Sequence, residues 1–362
     1  MGGRMSTDEQ VTYEENDASD FGEHGFVKPV FRNRRYKNPF DTFEERTLSD
    51  VYKFRQSEDN SNVPWKNKQE LDSTLPVVTP DFEKLSNPPK DAVQMMWVGH
   101  ASVLVQLDGL TILTDPIWGN RCGPLGIFGP KRYRQPPCKI EDIPNVDAVV
   151  ISHNHYDHLD HESVVRLNRK FGDKLRWYVA VGQADWMRQN GCQNVVELTW
   201  WQEHTLTKDG KSYMFAATPS QHWCMRTLRD KNKALWCSWV VKGPDHSFYF
   251  AGDTGYCCAF KQIGNKYGPF SLSAIPIGAY EPRWFMRPQH INPEEAVEVH
   301  QELRSEKSVG IHWGTFVLTT EHYMEPKQKL GDILKQKGLD AGCFFTVKHG
   351  EVRTVPDEHV KS

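Results

Sequence analysis

Four side chains able to ligate a metal crowd into the six residues His153-Asn154-His155-Tyr156-Asp157-His158, directly behind the apolar run DAVVIS at 147–152. A short continuous apolar run of this kind reads as a buried strand. Imidazoles two positions apart leave extended backbone on the same side, and a tight turn brings Asp157 and His158 round to a second position. Three imidazoles gathered behind a buried strand need a partner, because polar rings shut away from water without one are costly. The chain is therefore confined to folds that collect metal ligands at strand ends.

Divided between two ions, these side chains complete neither shell, so further donors must arrive from later strand ends. The sequence supplies three: His222 in Thr-Pro-Ser-Gln-His after the apolar run 213–217, Asp253 in Ala-Gly-Asp-Thr-Gly after 248–251, and His312 closing the run 308–311. Closed structural zinc sites are usually cysteine-rich, whereas a His/Asp set leaves room for water and points to catalysis.

Around these positions the pattern alternates strands with helices, which implies α/β layers. Runs at 93–105 and 110–113 read as two strands joined by the Asp108-Gly109 turn. Further strands are expected at 177–181, 235–241 and 274–277, and a helix follows Asp160 over 161–170. Another helix is signalled by Asn292 as N-cap, Pro293 at its first position, Glu294 and Glu295 in the first turn, and Ala296, Val299 and Leu303 on one face. Residues 1–87 are polar and proline-punctuated. They read as a partly disordered N-terminal extension with an apolar and basic arm near 25–40, ahead of a catalytic domain at 88–362.

Charge and composition narrow the partners. With 44 Lys and Arg against 47 Asp and Glu, the net charge of −3 argues against a nucleic-acid footprint over the whole surface. No apolar run approaches the roughly 20 residues of a membrane-spanning helix. Residues 1–20 show no secretory apolar stretch, and the eight scattered cysteines read as reduced thiols in an intracellular, cytosol-facing compartment. Gly2 and Ser6 match a loose myristoylation pattern.

The runs Met96-Trp97-Val98-Gly99-His100-Ala101-Ser102, Ile112-Leu113-Thr114-Asp115-Pro116, His153 to Asp160, Pro219-Ser220-Gln221-His222-Trp223 and Ala251-Gly252-Asp253-Thr254-Gly255 together resemble the metallo-β-lactamase superfamily. Within it they resemble the branch that hydrolyses N-acyl-phosphatidylethanolamine. The resemblance implies a four-layer αββα sandwich with two Zn²⁺ per chain at one edge of the sheets. It implies one zinc on His153, His155 and His222, the other on Asp157, His158 and His312, and Asp253 bridging both. It further implies phospholipase D chemistry, in which a metal-bridging hydroxide attacks phosphorus and releases N-acylethanolamine and phosphatidic acid. Asp157, Asp253 and His290 would serve catalysis, and Tyr156 and His290 would contact substrate. A homodimer, peripheral on the cytosolic face of Golgi or endosomal membranes, is also implied.

The charge balance agrees. Two Zn²⁺ against Asp157, Asp253 and a hydroxide leave a positive site suited to a phosphodiester anion. A lipid substrate calls for an apolar mouth and side chains that dip into the bilayer surface. Candidates are 123–130 with the basic run 131–134, then 280–287, Trp200-Trp201 and Trp186-Met187. The alternative is a soluble metallo-hydrolase, such as a sugar-phosphate lactonase, whose aromatic segments serve only the core.

Overall fold

The computed structural model describes residues 25–57 and 60–356. The Gly2 and Ser6 motif, and the first part of the extension, lie outside the described residues. Two seven-stranded sheets face each other. The first runs, in spatial order, Val352–Val355, Val93–Gly99, Ser102–Leu107, Leu110–Thr114, Ala148–Ile151, Arg176–Ala180 and Val195–Leu198. The second runs Phe344–Phe345, Ser308–Ile311, Leu272–Pro276, Ser247–Phe250, Ser238–Lys242, Lys211–Thr218 and Glu203–Lys208. In each sheet one half is antiparallel and the other parallel.

Period-two alternation explains the layering. In the first sheet Met95, Trp97, Val103, Val105, Ile112, Val150 and Tyr178 point inward, where they join Tyr213, Phe215, Trp239 and Val241 of the second sheet. Their neighbours Met96, Val98, Leu104, Leu113, Val149, Ile151 and Val179 point outward and meet Val164 and Leu167 of the helix His161–Phe171 and Met187 of the helix Ala184–Gln189. Helices Ala259–Tyr267, Pro293–Glu302 and Glu325–Gln336 contribute Ile263, Val299 and Leu330 to the larger core. The result is the four-layer αββα sandwich. Each large apolar side chain buried this way stabilises by about 1.5–3 kcal/mol.

Local signals decide where elements start. Asn292 accepts from the Glu295 amide at 2.9 Å while Glu295 accepts from the Asn292 amide at 3.0 Å, a reciprocal cap on the helix Pro293–Glu302. Asp160 likewise caps His161–Phe171 through the Ser163 amide. One expectation fails: the run 93–105 is not a single strand. It breaks into Val93–Gly99 and Ser102–Leu107, because Gly99 and His100 adopt positive φ of 127° and 54° and reverse the chain.

Residues 25–40 lie against the domain. Val30–Arg32 and Arg35–Lys37 form a small hairpin, Val27, Tyr36 and Phe40 are buried, and the Trp201 indole donates to the Val27 carbonyl at 2.7 Å. Asn38 donates to the His222 carbonyl at 2.7 Å and Thr42 to the Gln221 side chain at 2.5 Å, so this segment braces the His222 loop. Leu71, Leu75 and Leu85 are buried farther along.

Candidate metal centre

Every candidate ligand follows the carboxyl end of a strand, and these ends meet at one edge of the sandwich. Ile151 leads into His153, Thr218 into His222, Phe250 into Asp253 and Ile311 into His312. Gly252 joins the sheets there: with φ of 61°, it passes so close that a Cβ would stand 2.5 Å from the Ser152 Cβ. Thr254 ties the Asp253 loop to the His222 loop by accepting from the Gln221 amide at 3.0 Å.

Hydrogen bonds on the outer nitrogens fix which ring nitrogens face inward. Ser152 donates its hydroxyl to Asp115 at 2.5 Å, so His153 Nδ1, 2.9 Å from that hydroxyl, must be the donor and Nε2 carries the lone pair. His222 Nδ1 donates to the Gln289 carbonyl at 3.1 Å, and His158 Nδ1 donates to Asp115 Oδ2 at 2.6 Å. Their Nε2 atoms are left free to ligate, as oriented metal-binding histidines require.

The inward atoms form two groups. His155 Nδ1 lies 2.9 Å from His153 Nε2 and 3.2 Å from His222 Nε2. His158 Nε2 lies 3.2 Å from His312 Nε2 and 3.3 Å from Asp157 Oδ2, and His312 Nε2 is 3.6 Å from that oxygen. Ligands on a tetrahedral zinc with bonds near 2.0–2.1 Å sit roughly 3.3 Å apart, so both spacings fit a metal. Asp253 stands between the groups. Its Oδ2 is 3.0 Å from His158, 3.7 Å from His222 and 3.9 Å from His153, and its Oδ1 is 3.0 Å from His312. His155 Nε2, His290 Nδ1 and His312 Nδ1 are buried without a hydrogen-bond partner.

The electrostatics suit cations. Burial pushes His155 down to about 4 and His222 to about 3, so both are neutral ligands at neutral pH. Burial opposes charge on His312, yet Asp253 and Asp157 outweigh it and raise the ring to about 9. His158 is carried well above its ordinary value in the same way, against burial and by Asp253, Asp157 and Asp115. Burial also opposes charge on Asp157 and Asp253, but the surrounding imidazoles hold both carboxyls well below their ordinary range. The carboxylates of Asp157 and Asp253 thus concentrate negative charge beside His158 and His312, where a divalent cation would be favoured.

His290 joins this cluster. Its Nδ1 is 3.9 Å from Asp253 Oδ2, and its ring centroid is 5.3 Å from those of both His222 and His312. Burial drives it down to about 3, leaving a neutral imidazole beside the Asp253 carboxylate. Tyr156 is not brought into the ligand cluster. Its hydroxyl donates to the Arg226 carbonyl at 2.9 Å, and its ring lies 4.2 Å beneath the Arg226 guanidinium. Arg226 also donates to the Asn154 and Leu159 carbonyls at 3.0 and 2.7 Å, clamping both ends of the metal loop. Tyr156 lines a neighbouring cavity of about 770 Å³ together with Trp186 and Arg226.

Two residues reach the centre without having been singled out as ligands or their supports. His100 Nε2 is 2.9 Å from Asp157 Oδ2, and the His100 carbonyl accepts the His312 amide at 3.0 Å, so it links two candidate ligands of one group. Asp115 holds His158 and also accepts from the Ser152 amide at 2.7 Å. Both end strands, as His312 does, and all three have left-handed backbone, with φ of 54°, 29° and 60°. Such strain costs about 1–3 kcal/mol per residue and collects at functional sites. That conformation is the signal, and it is not written in residue type.

Residues 111–313, more than half of the chain, match the family model described as Beta-lactamase superfamily domain. The chain is 43% identical over 347 residues to N-acyl-phosphatidylethanolamine-hydrolyzing phospholipase D 1 of Caenorhabditis elegans, covering 92% of this chain and 96% of that protein. It is 39% identical over 258 residues to a Saccharomyces cerevisiae protein, N-acyl-phosphatidylethanolamine-hydrolyzing phospholipase D, mitochondrial, covering 70% of this chain and 54% of the yeast protein. A metallo hydrolase from Ignicoccus hospitalis shares the fold at TM-score 0.54 and 24% identity, over 73% of this chain and all but 2% of its own (98% covered). The Golgi or endosomal expectation finds no support in these names, one of which places the yeast protein in the mitochondrion. No described helix is long and apolar enough to cross a membrane. The chain belongs to the beta-lactamase superfamily and, within it, to the family of N-acyl-phosphatidylethanolamine-hydrolysing phospholipases D.

Proposed function

We propose that this chain is a metal-dependent phosphodiesterase that hydrolyses N-acyl-phosphatidylethanolamine to N-acylethanolamine and phosphatidic acid, using two Zn²⁺. In this reading His153, His155 and His222 would hold one ion, Asp157, His158 and His312 would hold the other, and Asp253 would be within reach of both. The reading is carried by Asp253, whose carboxylate lies 3.0 Å from His158 on one oxygen and 3.0 Å from His312 on the other, with His222 at 3.7 Å. A pair of zinc ions supplies a water activated near neutral pH and positive charge for the phosphodiester oxygens.

The chain's own residues do the rest. Asp115 and the Gln289 carbonyl orient His158 and His222, and His100 orients Asp157. His290, neutral and facing Asp253, is placed to donate a hydrogen bond to substrate or to the departing alcohol. Tyr156 forms a wall of the adjacent cavity, where its ring is available to the lipid while its hydroxyl is committed to Arg226. We extend the reading to a homodimer bound peripherally to the cytosolic face of a membrane, on the strength of the family relationship.

The test combines metal analysis with lipid turnover. Two zinc ions per chain and release of N-acylethanolamine are expected from the wild type, and His155→Ala or Asp253→Asn should reduce turnover to background. Full activity in either variant would overturn the two-metal reading. Two bound metals with turnover only of a soluble sugar-phosphate lactone would overturn the lipid substrate.

A further inference from the structure

The loop between Gly123 and Pro130 is built unlike a loop that only connects. Its neck is pinched: the Cys122 amide donates to the Pro130 carbonyl at 3.1 Å, the Arg121 side chain donates to the Gly129 carbonyl at 2.8 Å, and the backbones of Arg121 and Lys131 form an antiparallel β-bridge. Only glycine fits there, since a Cβ on Gly123 would lie 2.4 Å from the Phe128 carbonyl oxygen and one on Gly129 2.5 Å from that of Cys122. Buried Arg132 anchors the base by donating to the Gly119 and Ile117 carbonyls at 2.9 and 2.8 Å.

This fixed stalk holds an apolar tip in solvent. Leu125 is 85% exposed, Ile127 63% and Phe128 58%, and Leu125 has a strained φ of 60°. Neither exposing three large apolar side chains nor bending a leucine into left-handed backbone stabilises the fold. The stretch 121–134 contains no carboxylate, and Arg121 and Lys131 flank the tip. The tip also borders the cavity shared with Tyr156, through Gly123, Leu125 and Gly126. Thr227 and Asp230 line the same cavity, on a turn whose intervening Leu228 is 97% exposed and is followed by the basic Arg229 and Lys231.

We infer that the tip Leu125-Gly126-Ile127-Phe128 inserts into an anionic membrane surface, with Arg121 and Lys131 meeting lipid phosphates and the cavity opening toward the bilayer between this tip and Leu228. The inference rests on the lipid-hydrolase reading and assigns the elements that bring the site to its substrate. Apolar side chains within a basic collar match the interfacial region of an anionic membrane, where tails take the former and headgroups the latter. The other aromatic segments contribute less. Trp200, Met187, Tyr280, Phe285 and Met286 are buried, which leaves Trp284 as the exposed member.

The experiment uses the full chain and an Ile127→Ser/Phe128→Ser double variant, neither position lining the cavity. Vesicles of phosphatidylcholine with phosphatidylserine are sedimented with each protein, and N-acyl-phosphatidylethanolamine hydrolysis is followed in vesicles and in detergent mixed micelles. The variant should bind vesicles at least about tenfold more weakly and lose vesicle hydrolysis in proportion, with mixed-micelle hydrolysis and circular dichroism unchanged. Vesicle binding equal to wild type would overturn the inference. So would a variant that dissociates to monomer while still binding vesicles, because the tip would then be a contact between copies. A wild type that sediments with vesicles in a tip-dependent way yet hydrolyses no lipid would sink the substrate reading and leave the docking inference standing.

Discussion

Asp115→Asn isolates the support beneath the metal centre. The replacement keeps shape and removes charge from a fully buried carboxylate that receives three donors: His158 Nδ1 at 2.6 Å, the Ser152 hydroxyl at 2.5 Å and the Ser152 amide at 2.7 Å. An amide has one accepting oxygen, and its NH₂ group would face one of these donors. At least one charge-assisted bond is lost, about 1.5–3 kcal/mol, and one buried donor is left unmatched at about 1–3 kcal/mol. The first loss falls on His158, which could then turn its ring or present the wrong nitrogen. Metal affinity should drop about 10–100-fold, the range seen when partners of ligating histidines are removed. Competition with a chelator, read by metal analysis, measures this directly, and thermal unfolding of the metal-stripped protein reads the second loss. Wild-type metal affinity in a folded Asp115→Asn variant would refute the claim that Asp115 holds His158 as a ligand.

Other outcomes follow from the same contacts. His100→Asn keeps left-handed backbone accessible while removing the ring that touches Asp157, so one of the two ions should be stripped by chelator well before the other; equal loss of both would contradict the link from His100 to Asp157 and His312. Tyr156→Phe removes only the bond to the Arg226 carbonyl and should lower turnover modestly with metal content unchanged, whereas loss of zinc would make Tyr156 part of the metal support. Asp108, remote from the centre, accepts from His246 Nδ1 at 2.6 Å and from the Asp245 and His246 amides at 3.0 Å, and Asp108→Asn should destabilise the fold by about 1–3 kcal/mol in denaturant unfolding. Burial opposes the Asp108 charge, but these donors outweigh it and lower its pKa. Its contribution is therefore fully present above the ordinary carboxylate value of about 3.9 and declines as pH falls below it toward the lowered folded value, so a wild-type advantage that did not shrink on acidification below that point would contradict the assignment.

The centre was legible where chemistry shows in residue type. His153, His155, Asp157 and His158 fall within six residues, and His222, Asp253 and His312 each follow an apolar run, so strand ends alone predicted their convergence. The helix beginning at Pro293 was legible for the same reason, through its cap. Backbone shape was not. His100 and Asp115 look like ordinary residues in apolar strands until their positive φ turns them toward the ligands. Glu203–Lys208 left little signal because it is an edge strand, with alternate side chains exposed and Leu206 its one large apolar residue. Residues 25–85 hid their contribution differently. Val27, Tyr36, Phe40, Leu71 and Leu75 are buried at irregular spacing, since that segment follows the contour of the domain and has no period of its own to reveal.

The central claim is that metal-dependent attack of water on phosphorus cleaves N-acyl-phosphatidylethanolamine at this centre. Hydrolysis by the zinc-loaded protein in water labelled with heavy oxygen, with both products analysed by mass spectrometry, tests it most directly. The label should appear in phosphatidic acid and be absent from N-acylethanolamine, and removal of metal should stop turnover. Label in N-acylethanolamine, which would mean cleavage at carbon, or turnover that survives complete removal of metal, would contradict the account.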